Sequence, residues 1–157
     1  MASRRKLLVV ALLAAIIGLV IVFATGIVVL PSSQSSGSVT SAVVEKSSCE
    51  HPPGTFLIIA DISGFNDSVS HGAPLHPWPV IRVQQDQTVR IVVCNKDLTQ
   101  PHGFAISTYF PTGVAIAPGE AYTITFTATV PGNFVMYCNI FCTVHVFMVA
   151  QLIVQPK

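Results

Sequence analysis

Charged residues are scarce in this chain of 157 residues: eight Lys and Arg and seven Asp and Glu, 10% of the total, where about a quarter is usual. No run of basic residues lies beyond Lys6, and with no basic patch a nucleic-acid partner is not expected. From position 32 onward five basic residues stand against seven acidic ones, a net of −2. So sparse a surface changes its charge little in acid, which fits an acidic exterior. Helical periodicity is absent after Leu30, so a helical bundle or a doubly wound sheet is not expected. An internal repeat and a glycine-rich phosphate cradle are also lacking, which leaves nucleotide chemistry without its usual loop.

Long apolar runs are missing too, with one exception. Residues 7–30 form 24 positions without a charge, long enough as a helix to cross a bilayer's hydrocarbon core. The apolar core of a cleaved signal peptide is shorter, about 7–15 residues, so the run reads as an uncleaved anchor. Arg4, Arg5 and Lys6 precede it and no basic residue follows until Lys46. Residues 1–6 are then cytoplasmic and the rest of the chain lies outside the cell membrane. Residues 31–42, rich in Ser, read as a flexible linker.

Residues 43–157 read as one all-β domain. The runs 55–62, 80–83, 88–94, 121–129, 134–137 and 147–154 have strand character. In 121–129 Thr123, Thr125 and Thr127 alternate with Ile124, Phe126 and Ala128, the period of a half-buried strand. Turn signals fall between the runs, at Pro118-Gly119-Glu120 and Pro131-Gly132-Asn133. Short strands at this spacing predict a β-sandwich or barrel.

Chemistry concentrates in residues 137–149, YCNIFCTVHVFMV, which hold Cys138, Cys142, His145 and Met148. Two thiols, an imidazole and a thioether form a soft donor set, and softness selects copper. The thioether argues against zinc, which takes Cys, His and carboxylates. A disulfide between Cys138 and Cys142 would close a very short loop and constrain little of the unfolded chain. It would also leave His145 and Met148 without a role, so metal ligation is the reading adopted. Cys49 and Cys94 are either a disulfide or two separate thiols, and the sequence leaves both open. His102, in the turn-like Pro101-His102-Gly103-Phe104, is a further candidate ligand, because the glycine beside it allows close backbone approach. His51, His71 and His76 read as solvated, and Trp78 as a packing residue at the start of a strand.

His102-Gly103-Phe104, Pro118-Gly119-Glu120, Pro131-Gly132, Cys138, Cys142, His145 and Met148 together resemble the cupredoxin domain of haem-copper oxidase subunit II, in the form with one transmembrane helix and a CuA centre. The resemblance implies a Greek-key cupredoxin sandwich behind an N-terminal anchor. It also implies two copper ions bridged by the sulfurs of Cys138 and Cys142. His102 and His145 would each bind one copper, with Met148 on one and the backbone carbonyl of Ile140 on the other. The implied partners are the oxidase's subunit I, which carries haem and copper, and an external electron donor, a cytochrome c or a small copper protein. Phe104, Phe134, Phe141 and Phe147 would keep water from the centre. The chain would carry electrons and do no catalytic chemistry of its own.

Three features depart from that family. Two residues rather than three separate Cys142 from His145, Ile140 stands where a Glu is common, and the aromatic run of the first strand is missing. Residues 142–148 are also similar to the C-x-x-H-x-x-M loop of amicyanin, a mononuclear blue-copper protein. Its ligands here would be His102, Cys142, His145 and Met148, with Cys138 spare. The six-residue step from Gly132 to Cys138 favours two coppers. A subunit II of a quinol oxidase, which keeps the fold without copper, is the third reading.

Overall fold

The computed structural model describes residues 41–157; the expected cytoplasmic segment 1–6, the anchor 7–30 and nearly all of the linker 31–42 lie outside the described residues. Ten strands form the domain: β1 (Val43–Ser47), β2 (Phe56–Asp61), β3 (Gly64–Phe65), β4 (Val80–Gln84), β5 (Thr88–Asn95), β6 (His102–Ile106), β7 (Phe110–Ile116), β8 (Ala121–Thr127), β9 (Gly132–Tyr137) and β10 (Val149–Gln155). A single 3-10 turn, His145–Phe147, is the one helical piece among the described residues. One sheet has the order β1-β8-β5-β2-β3 and the other β4-β10-β9-β6-β7. The chain passes repeatedly between them, and two neighbouring pairs, β2 with β5 and β4 with β10, run parallel.

Alternation accounts for the layering. Along β10 the burial alternates from Val149 to Val154, which places Ala150, Leu152 and Val154 in the core. Ile81 and Val83 of β4 point the same way. From the opposite sheet Ile58, Ile91, Val93, Ile124 and Phe126 meet them in one continuous apolar cluster. Fully burying each such side chain contributes about 1.5–3 kcal/mol.

The expected strands 55–62, 80–83, 88–94 and 121–129 correspond to β2, β4, β5 and β8 with small shifts at their ends. Four strands have no counterpart among the expected runs: β1, the two-residue β3, β6, whose start reads as a turn, and β7. All five residues of β6 are buried, so it has no polar alternation to announce it, and Pro101 and Gly103 imitate a turn. β7 contains Pro111 and Gly113, which a sheet edge tolerates, and it lies at that edge. The expected strand 147–154 begins only at Val149, because His145–Phe147 takes 3-10 form. Cys49 and Cys94 are joined as a disulfide across a separation of 45 residues, which settles the pairing left open above.

The topology gathers one end of the second sheet. β6 and β10 both flank β9 antiparallel, with Ala105 and Val149 each opposite Tyr137. The start of β6, the end of β9 and the start of β10 therefore coincide.

Candidate metal centre

His102 is the first residue of β6, not a loop residue, and is fully buried. Cys138 follows β9 directly and Met148 precedes β10, so three of the expected ligands are fixed at strand ends. Cys142 lies in the connecting loop and is 5% exposed. Cys138 and Cys142 are free thiols, with their sulfurs 3.7 Å apart. A ring nitrogen of His102 and the two sulfurs all lie within 4.8 Å of one another. The Cys142 thiol donates to Met148 Sδ at 3.6 Å, and the Cys138 thiol donates to the Ile140 carbonyl at 3.2 Å.

His145 is placed differently. It is exposed and stands outside that three-residue cluster. Its Nδ1 lies 2.9 Å from the same Ile140 carbonyl, so it adjoins the cluster through that oxygen. The six expected donors thus form a contiguous group, with His102 and Met148 on the buried side and His145 with Ile140 on the open side.

Backbone packing explains why the group is so tight. The Gly103 N–H donates to Cys138 Sγ at 3.1 Å. A Cβ on Gly103 would overlap the Asn139 side chain and come within 2.8 Å and 2.9 Å of the Asn139 and Ile140 nitrogens. Asn139 also fills the space beside Gly113, whose φ of +65° suits glycine, and its Nδ2 donates to the Thr112 carbonyl at 3.1 Å. Behind the 3-10 turn, Ser68 Oγ donates to the Phe147 carbonyl at 2.7 Å and accepts the Phe65 N–H at 3.1 Å. Thr143 N–H donates to Gln100 Oε1 at 3.2 Å, tying the ligand loop to the β5–β6 connection.

That connection holds a residue the sequence reading missed. Asp97 is 5% exposed, and its Oδ2 lies 3.2 Å from His102 Nε2. The N–H of Thr99, with help from its hydroxyl, the Gln100 N–H and His102, holds the Asp97 carboxyl down at about 2. Asp97-Leu98-Thr99 is an Asx-turn pattern, and that was the available signal. In the opposite direction, burial pushes the Cys142 thiol up to about 11, with the neighbouring Cys138 adding to it. Binding a metal here would therefore release protons.

The donor chemistry fits copper. His102 Nδ1 is buried with no hydrogen-bond partner, a state rare in folded proteins and natural for a ligand nitrogen. Two soft sulfurs stand near the His102 ring, with the Met148 thioether adjoining Cys142.

The expected water shield is only half present. Phe104 is fully buried and meets Phe65 edge-on, with centroids 5.8 Å apart, and Phe147 is half-buried. Phe134 packs instead on Tyr109, toward the β8–β9 connection at Val130. Phe141 is 94% exposed and shields nothing. His51, His71 and His76 are exposed and outside the cluster, as expected. Trp78 is 37% exposed, stacks on His71 at 4.1 Å and donates to the Asn66 carbonyl, so it is only partly a packing residue.

No family model matches this chain. Among solved structures, it is similar to a copper nitrite reductase from Nitrosomonas europaea, with a TM-score of 0.51 and 12% identity over 68% of this chain and 50% of that one. It is also similar to a reduced auracyanin from Roseiflexus castenholzii (TM-score 0.49, 20% identity, 68% of this chain and all of that one). A reduced Cu(I) amicyanin variant gives a TM-score of 0.48 at 18% identity over 74% of this chain and all of that one. At 12% identity the likeness to the nitrite reductase speaks to fold alone, and it agrees with the two five-stranded sheets traced here. The domain of residues 41–157 therefore has a cupredoxin-like fold, an all-β sandwich of two sheets.

Proposed function

We propose that this chain is a copper-binding electron carrier, tethered by residues 7–30 to the outer face of the cell membrane with its N-terminus in the cytoplasm. The observation that carries the reading is the unpartnered, buried His102 Nδ1 in a cluster with two free, buried thiols. His102, Cys138, Cys142, Met148, His145 and the Ile140 carbonyl would hold the metal. Copper so held supplies one-electron exchange. The chain's own residues fix the donor positions before any metal arrives, which keeps rearrangement small. Exposed His145 gives the buried cluster an outlet to the surface.

A second reading makes the chain the electron-receiving subunit of a terminal haem-copper oxidase, with a dinuclear centre that passes electrons to subunit I. One observation favours it: the two sulfurs lie 3.7 Å apart, and a second pair of donors, His145 and the Ile140 carbonyl, waits on the open side. A mononuclear carrier would leave Cys138 without a part, although it belongs to the cluster.

Metal analysis with visible and EPR spectra of the detergent-solubilised full chain decides between these. One copper with splitting from a single nucleus supports the carrier in mononuclear form. Two coppers sharing one unpaired electron support the dinuclear centre, and with it a search for subunit I and a cytochrome c or copper-protein donor. A chain that takes up no copper under reducing conditions overturns both and leaves the quinol-oxidase or purely structural reading.

A further inference from the structure

His102 can offer a lone pair toward the sulfurs only if its single proton sits on the other ring nitrogen, and the β5–β6 connection contains the group that would put it there. The two oxygens of Asp97 are divided. Oδ1 accepts the Thr99 N–H at 2.8 Å, the Thr99 hydroxyl at 2.8 Å and the Gln100 N–H at 3.1 Å. Oδ2 has His102 Nε2 as its partner, at 3.2 Å. The turn is itself held from behind: Asn95 Oδ1 accepts the Asp97 N–H at 2.9 Å, and Asn95 Nδ2 donates to the Gln100 and Ile116 carbonyls, each at 2.9 Å. Asn95 follows Cys94, which the disulfide ties to Cys49. The carboxylate therefore meets the imidazole with its orientation already fixed.

We infer that Asp97 is the positioning residue of the centre: it accepts the Nε2 proton of His102 and so commits Nδ1, with its lone pair free, to the metal. This rests on the copper reading given above, but its first test does not. A ligating histidine whose far nitrogen is held by a carboxylate is oriented and made more basic. Here the carboxylate is preset by three donors on its other oxygen, so the tautomer is chosen before metal binds.

Asp97→Asn tests this sharply, because the amide has only one way to sit. Its oxygen must take the Oδ1 position, where three donors converge, and its NH2 group then points at His102. Nε2 is forced to accept, and the proton moves to Nδ1, where it blocks the ligand position. Long-range proton–nitrogen spectra of the metal-free, reduced full chain at about pH 8, above the ordinary histidine range, read the tautomer directly. The wild type is expected to carry the proton on Nε2 and Asp97→Asn to carry it on Nδ1. Competition with a Cu(I) chelator is expected to show copper bound about 10- to 100-fold more weakly by the variant, with a raised reduction potential for what remains. Thr99→Val is the control: it loosens the same turn and leaves Oδ2 in place, so tautomer and copper affinity are expected to match the wild type. A wild-type His102 protonated on Nδ1 overturns the inference whether or not any variant folds. So does an Asp97→Asn chain with wild-type affinity, or a Thr99→Val chain that loses as much as Asp97→Asn. A wild type that shows the Nε2 proton but binds no copper supports the role of Asp97 and removes the copper reading alone.

Discussion

The two sides of the candidate centre are built by different means. His102 and Cys138 belong to strands or their immediate ends. They are fully or almost fully buried and are held by backbone contacts, by Asp97 and, at one remove, by the Cys49–Cys94 disulfide. Residues 139–147 form a loop with a short 3-10 turn, no charged side chain, and His145, Val146 and Phe141 exposed. One side is a frame and the other a flap laid against it. A frame fixes distances at the expense of mobility, whereas an open loop keeps a route to the surface. The electron carrier proposed above would need both, and the division makes separate demands on stability and on exchange.

Damage to the frame should therefore register first as lost stability. Replacing Cys49 and Cys94 together by Ala frees a loop of 45 residues, for which chain entropy gives a cost of about 4 kcal/mol. Thermal or denaturant unfolding of the oxidised and doubly substituted proteins measures it. A loss no greater than that of an ordinary surface change, about 0.5 kcal/mol, would mean that the frame is self-supporting and the comparison overstated. Next in size is Gly103→Ala. The added methyl meets the Asn139 and Ile140 backbone rather than a flexible side-chain tip, and overpacking of this kind costs about 1–3 kcal/mol. Because the displaced segment lies between Cys138 and Cys142, copper affinity should fall with stability. Retained affinity in a destabilised chain would show that the loop adapts independently of the strand it lies against.

The same division governs what could be read from residue order alone. The loop was legible because its chemistry is packed into a short stretch: Cys138, Cys142, His145 and Met148 lie within eleven residues, and no ordinary core needs that combination. Half-buried strands were legible too, since β8 and β10 alternate. What stayed hidden was the buried, long-range part. The strand character of β6 was masked because every side chain in it is buried and Gly103 imitates a turn, although that glycine was rightly read as permitting close approach. Asp97 looked like one more loop carboxylate, since its partner His102 is met only after Asn95 and Gln100 have folded the connection. Phe134 and Phe141 are expected in the shield only through the family resemblance and their nearness in sequence to the ligands. The register of β9 directs the first toward Tyr109, and the loop turns the second outward. The anchor and nearly all of the linker fall outside the described residues.

On the flap, Ser68→Ala is the intermediate case. It removes the hydroxyl that braces the Phe147 carbonyl and accepts the Phe65 N–H, and the expected loss is about 2 kcal/mol, the net worth of two hydrogen bonds. The more telling readout is kinetic: with the brace gone, copper should leave faster. An unchanged release rate would mean that Met148 and the sulfurs alone hold the flap closed.

The smallest effect on the fold should come from the most conspicuous side chain. Phe141 is 94% exposed between a half-buried Ile140 and a Cys142 that is 5% exposed. A large aromatic presented to water contributes nothing to the core, so Phe141→Ser should shift stability by no more than about 0.5 kcal/mol. Copper affinity should also stay put, because no donor atom moves. If the open side is where electrons leave, the substitution should still slow exchange with the partner, or self-exchange between two copies of the chain, which stopped-flow or NMR line broadening would detect. A stability loss as large as that of Gly103→Ala would place Phe141 in the frame and dissolve the distinction. Unchanged exchange with an intact fold would move the electron route away from the loop tip and toward Leu98 or Val146, the other exposed apolar side chains on the connections that flank the centre.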